Sequence, residues 1–285
     1  MIDMALLTLR EMVRRRFVLS ALAGTIVLIA LTGWGFNRLA HVHGPRGHEL
    51  SLIQVRTITA TFVILIAYMF SFILAMAAVF LGAPSLANDI ETGVLLPIAT
   101  RPISRLAIFS GKALGLSVLL WACAALTGAA EFAVVRAVVG YLPPHPWSAL
   151  AFLCGLSEVM LMLALLLSTR MSAIAGSLVG AVLFGLAWIG GITGSIGIFA
   201  KNQTLENAGT ITQLLLPTDA MWQSAAYKLE PVAMTVAFQA AAARGAYVGP
   251  FFVPSPPPTA MIVWTAGWSI AVFALAAWSF SRRDL

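Results

Sequence analysis

The chain has 285 residues, of which 60% are hydrophobic and only 10% charged, and it carries a formal net charge of +6. Soluble globular domains hold about 45–50% apolar and about 25% charged residues, so a water-soluble fold is excluded and an integral membrane protein is indicated. Two cysteines exclude a disulfide framework. Most of the basic residues border apolar runs, which is membrane-topology chemistry and not a nucleic-acid footprint.

Residues 1–16 form a predicted amphipathic helix. Ala5, Leu6, Leu9, Met12 and Val13 repeat at helical spacing on one face, and Arg10, Arg14 and Arg15 lie away from it. Such an elbow rests in the headgroup layer with its arginines toward anionic lipid, either as a plain anchor or as a contact for a cytoplasmic partner. Six segments are then long and apolar enough to cross about 30 Å of hydrocarbon: 17–36, 58–82, 113–135, 147–169, 172–199 and 260–280. They are expected to be helices, because only a helix satisfies its own backbone locally in hydrocarbon and no alternating barrel segments occur. The first is too long for a secretory-signal core and no A-x-A site follows it, so it is expected to be retained.

Between the first two spans lies HVHGPRGHE, with His41, His43 and His48 close together and Glu49 adjoining. An H-x-H pair puts two imidazoles on one side of an extended strand, and Gly44-Pro45 can turn the chain to bring the third back. The set can hold zinc or copper(II); a solvated polar loop is the other reading.

The segment 83–112 follows span two. Pro84 is expected to open a helix and Gly93 to close it, Pro97 and Pro102 break the chain, and Ser104 caps a second helix that runs through Lys112 into span three. A structured loop of this length suggests docking, with a purely structural hairpin as the alternative. Glu131 falls near the far end of span three, within expected reach of water or Arg136. Glu158 falls near the middle of span four, where a charge costs about 2.5–3.5 kcal/mol. It should therefore face protein or water, lining a polar cavity, locking helices together, or standing as a buried structural carboxyl. Glycine pairs such as Gly176/Gly180 and Gly190/Gly194 allow close helix packing.

Residues 200–259 make the largest piece between spans and are expected outside the membrane. One helix is predicted from Pro217-Thr218-Asp219 to Tyr227 and another from Pro231 to about Ala243, with a stiff polyproline spacer at 254–258. A seventh crossing at 232–253 is disfavoured by Gln239, Arg244 and Gly245. Ten of the 17 basic residues lie in the segments that an N-in, C-in, six-crossing topology puts on the cytoplasmic side.

Catalytic motifs are missing. The SGK at 110–112 has Leu106 and Ala113 where a phosphate loop needs Gly and Ser or Thr, and neither HExxH nor G-x-S-x-G occurs. Two rival readings stay open: a membrane-embedded enzyme, which lacks its groups here, and a channel-like protein, which would need more than one deep charge.

The run DIETGVL…TRPISRLAIFSGKALG at 89–115 resembles the cytoplasmic loop of ABC type-2 permeases, the six-helix membrane subunits of ATP-driven exporters. The matching residues are Glu91, Gly93, Pro102, Ser104, Arg105, Gly111, Lys112 and Gly115, and the elbow and the terminal Ser281-Arg282-Arg283-Asp284-Leu285 also look like this family. Leu216-Pro217-Thr218-Asp219 is similar to the permeases of exporters that serve nitrous oxide reductase maturation. The resemblance implies an all-α permease in a bacterial cytoplasmic membrane, dimerised with a second permease copy or a paralogue. It implies that 83–112 is a coupling loop engaging a separate ABC ATPase through Glu91, Gly93, Pro102, Ser104, Arg105 and Lys112. ATP and Mg would reside in that ATPase, with no cofactor in this chain. A dimeric path makes Glu158 and Glu131 candidates for lining it, and the 200–259 segment a candidate external cap or gate.

Overall fold

The computed structural model describes residues 6–8, 16–40, 52–91, 104–244, 253 and 255–283. They form nine helices of four residues or more, and no strand occurs among them. The helices are α1 (Arg16–Ala40), α2 (Leu52–Glu91), α3 (Arg105–Val139), α4 (Pro146–Ser168), α5 (Ala173–Ala200), α6 (Gln203–Leu215), α7 (Thr218–Leu229), α8 (Val232–Ala243) and α9 (Thr259–Ser281). Five of them, α2, α3, α4, α5 and α9, are long and apolar enough to cross a membrane. The first expected span lies in α1. The elbow lies outside the described residues except for 6–8, which are helical, and Arg16, which opens α1.

The helices alternate in direction. Arg105 at the start of α3 meets the end of α9, and Lys112 meets Asp89 near the end of α2. Glu91, Arg105, Arg170 and Arg283 thus gather at one end of the bundle, here the basic end. α4 is the central helix, in contact with α2, α3, α5, α7 and α9. Its Leu153, Leu156, Val159, Met160, Leu161 and Leu165 are almost wholly buried. Around this core the surface stays apolar: Ile174, Val263 and Ile270 are each more than two-thirds exposed. In water such a surface would drive aggregation; in lipid it is the solvated face.

Two features depart from the sequence expectations. Pro84 does not open a new helix; it lies inside α2, which runs unbroken for 40 residues, about 60 Å. The proline removes one backbone donor, yet Ala83, Leu86 and Ala87 around it are buried, so packing holds the turn in register against local preference. The Ser85 hydroxyl also donates to the Gly82 carbonyl at 2.7 Å.

The second departure is in 200–259, which does not lie wholly outside the bundle. Lys201 takes the left-handed conformation at φ 52°, and Asn202 caps a helix that the sequence reading missed, α6. α6 doubles back along α5, with Gly209 against Gly194 and Thr212 against Gly190. At Leu216-Pro217 the chain turns, and α7 climbs back between α2 and α4. Met221 packs at Gly155, Trp222 lies edge-on to Tyr68 at 4.9 Å, and the Lys228 carbonyl accepts from His145 N at 3.2 Å beside the start of α4. Gly155 is nine residues into α4, so the hairpin tip reaches about 14 Å down that helix, near half of a bilayer core. The glycines read as a packing face are the reason: without side chains on either helix, α5 and α6 approach closely. The two later expected helices are present as α7 and α8, and α8, with only 12 residues, is too short to cross.

Candidate functional site

The basic end is a network of charged and hydroxyl groups that ties four helix ends together. Ser104 caps α3 as its sequence position suggests, in extended conformation, accepting from Ala107 N at 3.2 Å. Arg105 then reaches across the end of α9, where its Nη1 donates to the Ser281 carbonyl at 3.2 Å and the Arg283 carbonyl at 2.6 Å. Arg283 in turn donates to the Thr169 carbonyl at the end of α4. Arg170 Nε donates to Ser279 Oγ at 2.8 Å, and Thr169 Oγ1 lies 2.9 Å from the same oxygen. Guanidinium groups suit this place, since the last carbonyls of each helix are unpaired and carry the negative end of its dipole.

Two turns further in, Lys112 of α3 is buried, 6% exposed, and its ammonium donates both to the Asp89 carboxylate and to the Ser85 carbonyl of α2. Asp89 did not stand out in the sequence. Ser85 and Asp89 are four residues apart on one helix face, a signal readable only if the helix continues past Pro84. Glu91 is exposed at the last residue of α2. Gly93 and Pro102 lie outside the described residues. The end of α2 and the start of α3 are thus each clamped to the rest of the bundle.

The two acidic residues singled out within the spans make separate interhelical bonds. Ser117 Oγ of α3 donates to Glu158 Oε1 of α4 at 3.0 Å. Glu131 does not reach toward Arg136 as expected; it is buried and accepts from Thr32 Oγ1 of α1 at 3.4 Å, because its helix face is covered by α1. Since Glu158 sits level with Ser117, the two carboxyls are fourteen residues apart along α3, about 21 Å, and do not form one site. A third acid, Asp219, stands at the hairpin tip against Gly191 and accepts from Gln213 Nε2 at 2.6 Å and Gln223 Nε2 at 2.7 Å. Nearby Trp188 donates its indole N–H to the Tyr68 hydroxyl. In the sequence Asp219 stands out as a helix start and as part of the Leu216-Pro217-Thr218-Asp219 resemblance, not as a buried acid held by two glutamines. His41, His43 and His48 lie outside the described residues, and among the described residues no three His, Cys, Asp or Glu side chains are grouped to hold a metal ion.

The described residues thus form a bundle of long apolar helices with charged groups cross-linking the helices at one end. The family model for the ABC-2 family transporter protein matches residues 8–285. The chain belongs to the ABC-2 transporter family. No curated protein matches it. ABC-2 permeases are membrane subunits of ABC transporters, are not themselves catalytic, and work with an ABC ATPase. Lys112 of the Ser110-Gly111-Lys112 run is committed to Asp89.

Proposed function

We propose that this chain is the permease subunit of an ABC exporter in a bacterial cytoplasmic membrane. It crosses six times, N-in and C-in, with α1 as the first crossing and the basic end in the cytoplasm. It pairs with a second permease copy or a paralogue to enclose the path, and couples through 83–112 to a separate ATPase that holds ATP and Mg.

The observation that carries this reading is the bracing of the loop. A lever transmits motion only if its ends are fixed, and Lys112–Asp89 on one side and Arg105 with the α9 carbonyls on the other fix both ends of 92–103. Movement imposed on the segment is passed to α2 and α3, and through Arg283 and Arg170 to α4. Glu91, exposed beside the segment, is offered to the ATPase; Ser104, Arg105 and Lys112 shape the lever. Glu91→Ala or Arg105→Ala should lower transport-coupled ATPase activity in the reconstituted complex while membrane insertion is unchanged. Full activity in both variants would remove the assignment.

A further inference from the structure

Glu131 has one oxygen bonded to Thr32 and one, Oε2, that is buried with no hydrogen-bond partner. The residue is 7% exposed. A buried carboxyl oxygen without a donor is costly, and native structures rarely leave one so unless water or a ligand completes it. Glu131 lines a small cavity of about 30 Å³ between α2, α3 and α4, otherwise walled by apolar groups such as Val63, Ile66 and Phe132. That is room for one water or one ammonium group.

The cavity adjoins a larger cleft. Leu28 and Ile66 belong to both. The cleft, about 440 Å³, runs between α1 and α2 and is lined by Leu31, Thr32, Gly35, Phe36 and Phe62 besides. It is almost wholly apolar, its one polar lining side chain being the Thr32 that donates to Glu131. Its volume lies within the range that holds a drug-sized molecule. An apolar trough beside a carboxyl with one unpartnered oxygen suits an apolar body that carries a positively charged, hydrogen-bonding head.

We propose that the α1–α2 cleft and Glu131 form a binding site for amphiphilic amines that partition into the bilayer, the amine pairing with Glu131 Oε2 and the chain lying along Leu28, Leu31 and Phe62. The site lies within one subunit. It deepens the permease reading by naming a substrate class, but binding itself needs neither ATPase nor transport, so the two can fail separately.

The test uses the full chain in nanodiscs of neutral lipid, with radiolabelled dodecylamine and its uncharged counterpart dodecanol as probes. Wild type should bind the amine saturably and at least tenfold more tightly than the alcohol. Glu131→Gln keeps the shape and the Thr32 bond, and should cut that preference below twofold with alcohol binding intact. Gly35 lines the cleft and has no neighbour within 4 Å of a would-be Cβ, so Gly35→Leu puts a side chain into the cleft and should abolish binding of both probes. Equal affinity for the two probes in wild type, an unchanged preference in Glu131→Gln, or unchanged binding in Gly35→Leu would each overturn the proposal.

Discussion

Lys112 of α3 pairs with Asp89 of α2, and both are largely withdrawn from solvent. The pair closes the base of the proposed lever. Removing one partner of such a pair leaves an uncompensated charge, at a cost of about 3–5 kcal/mol, whereas removing both is far less damaging. Lys112→Met and Asp89→Asn should therefore each lower thermal stability in detergent sharply, and the double variant should recover much of the loss. Additive losses in the double variant would show that the two side chains are not coupled.

The hairpin of α6 and α7 depends on backbones meeting. A Cβ on Gly194 would stand 3.0 Å from Gly209 Cα, and one on Gly209 would overlap the Gly194 backbone, which cannot rotate away. Gly209→Ala should destabilise by about 1–3 kcal/mol, as overpacking does, and raise protease cleavage within 203–229. Gly267→Ala serves as the control, because nothing lies within 4 Å of a Cβ there. Equal melting behaviour in the two variants would contradict the close approach of α5 and α6.

Glu230, at the end of α7 and outside the spans, is buried and accepts from Val253 N at 2.7 Å. Burial pushes its carboxyl up to about 7, against the hydrogen bond from Val253, which pulls it down. The native state thus takes up a proton that the unfolded chain releases near the ordinary carboxylate range. Its contribution to stability is fully present below about pH 4.5 and is lost as pH rises to about 7. Melting temperature should fall from pH 5 to pH 8, and Glu230→Gln should remove that part of the slope. An identical slope in the variant would exclude Glu230 as its source.

The proposed topology puts Lys201 and Ser255 outside and Arg170 and Ser281 inside; all four are exposed. Single cysteines at these positions, in a background without Cys123 and Cys154, should react with an impermeant maleimide on intact cells at the first two only. Labelling of Ser281→Cys from outside would reverse the topology.

Much of this was legible in the sequence. Long apolar runs with few charges left helices as the sole choice, and Ser104 marked the start of α3 because capping is a local effect. What escaped was decided by distant partners. Pro84 reads as a helix start, and only the burial of Ala83, Leu86 and Ala87 keeps α2 running past it to bring Ser85 and Asp89 to Lys112. The segment 203–229 reads as external because its polar residues are counted singly, whereas Gln213, Asp219 and Gln223 satisfy one another and enter the bundle as a group. The glycine spacing on α5 was visible, but its partner helix was not. Glu131 turned toward Thr32 because the residue facing it comes from α1, 99 positions earlier.

The central claim is that the segment between Glu91 and Ser104 docks an ABC ATPase. A photo-crosslinking amino acid at Glu91, with the same group at Ser255 as the control, can be activated in cells of the native host and the captured protein identified by mass spectrometry. The account predicts that Glu91 yields an adduct with a protein carrying a complete Walker A motif and that Ser255 does not. Capture of no such ATPase at Glu91, or equal capture at Ser255, would contradict it.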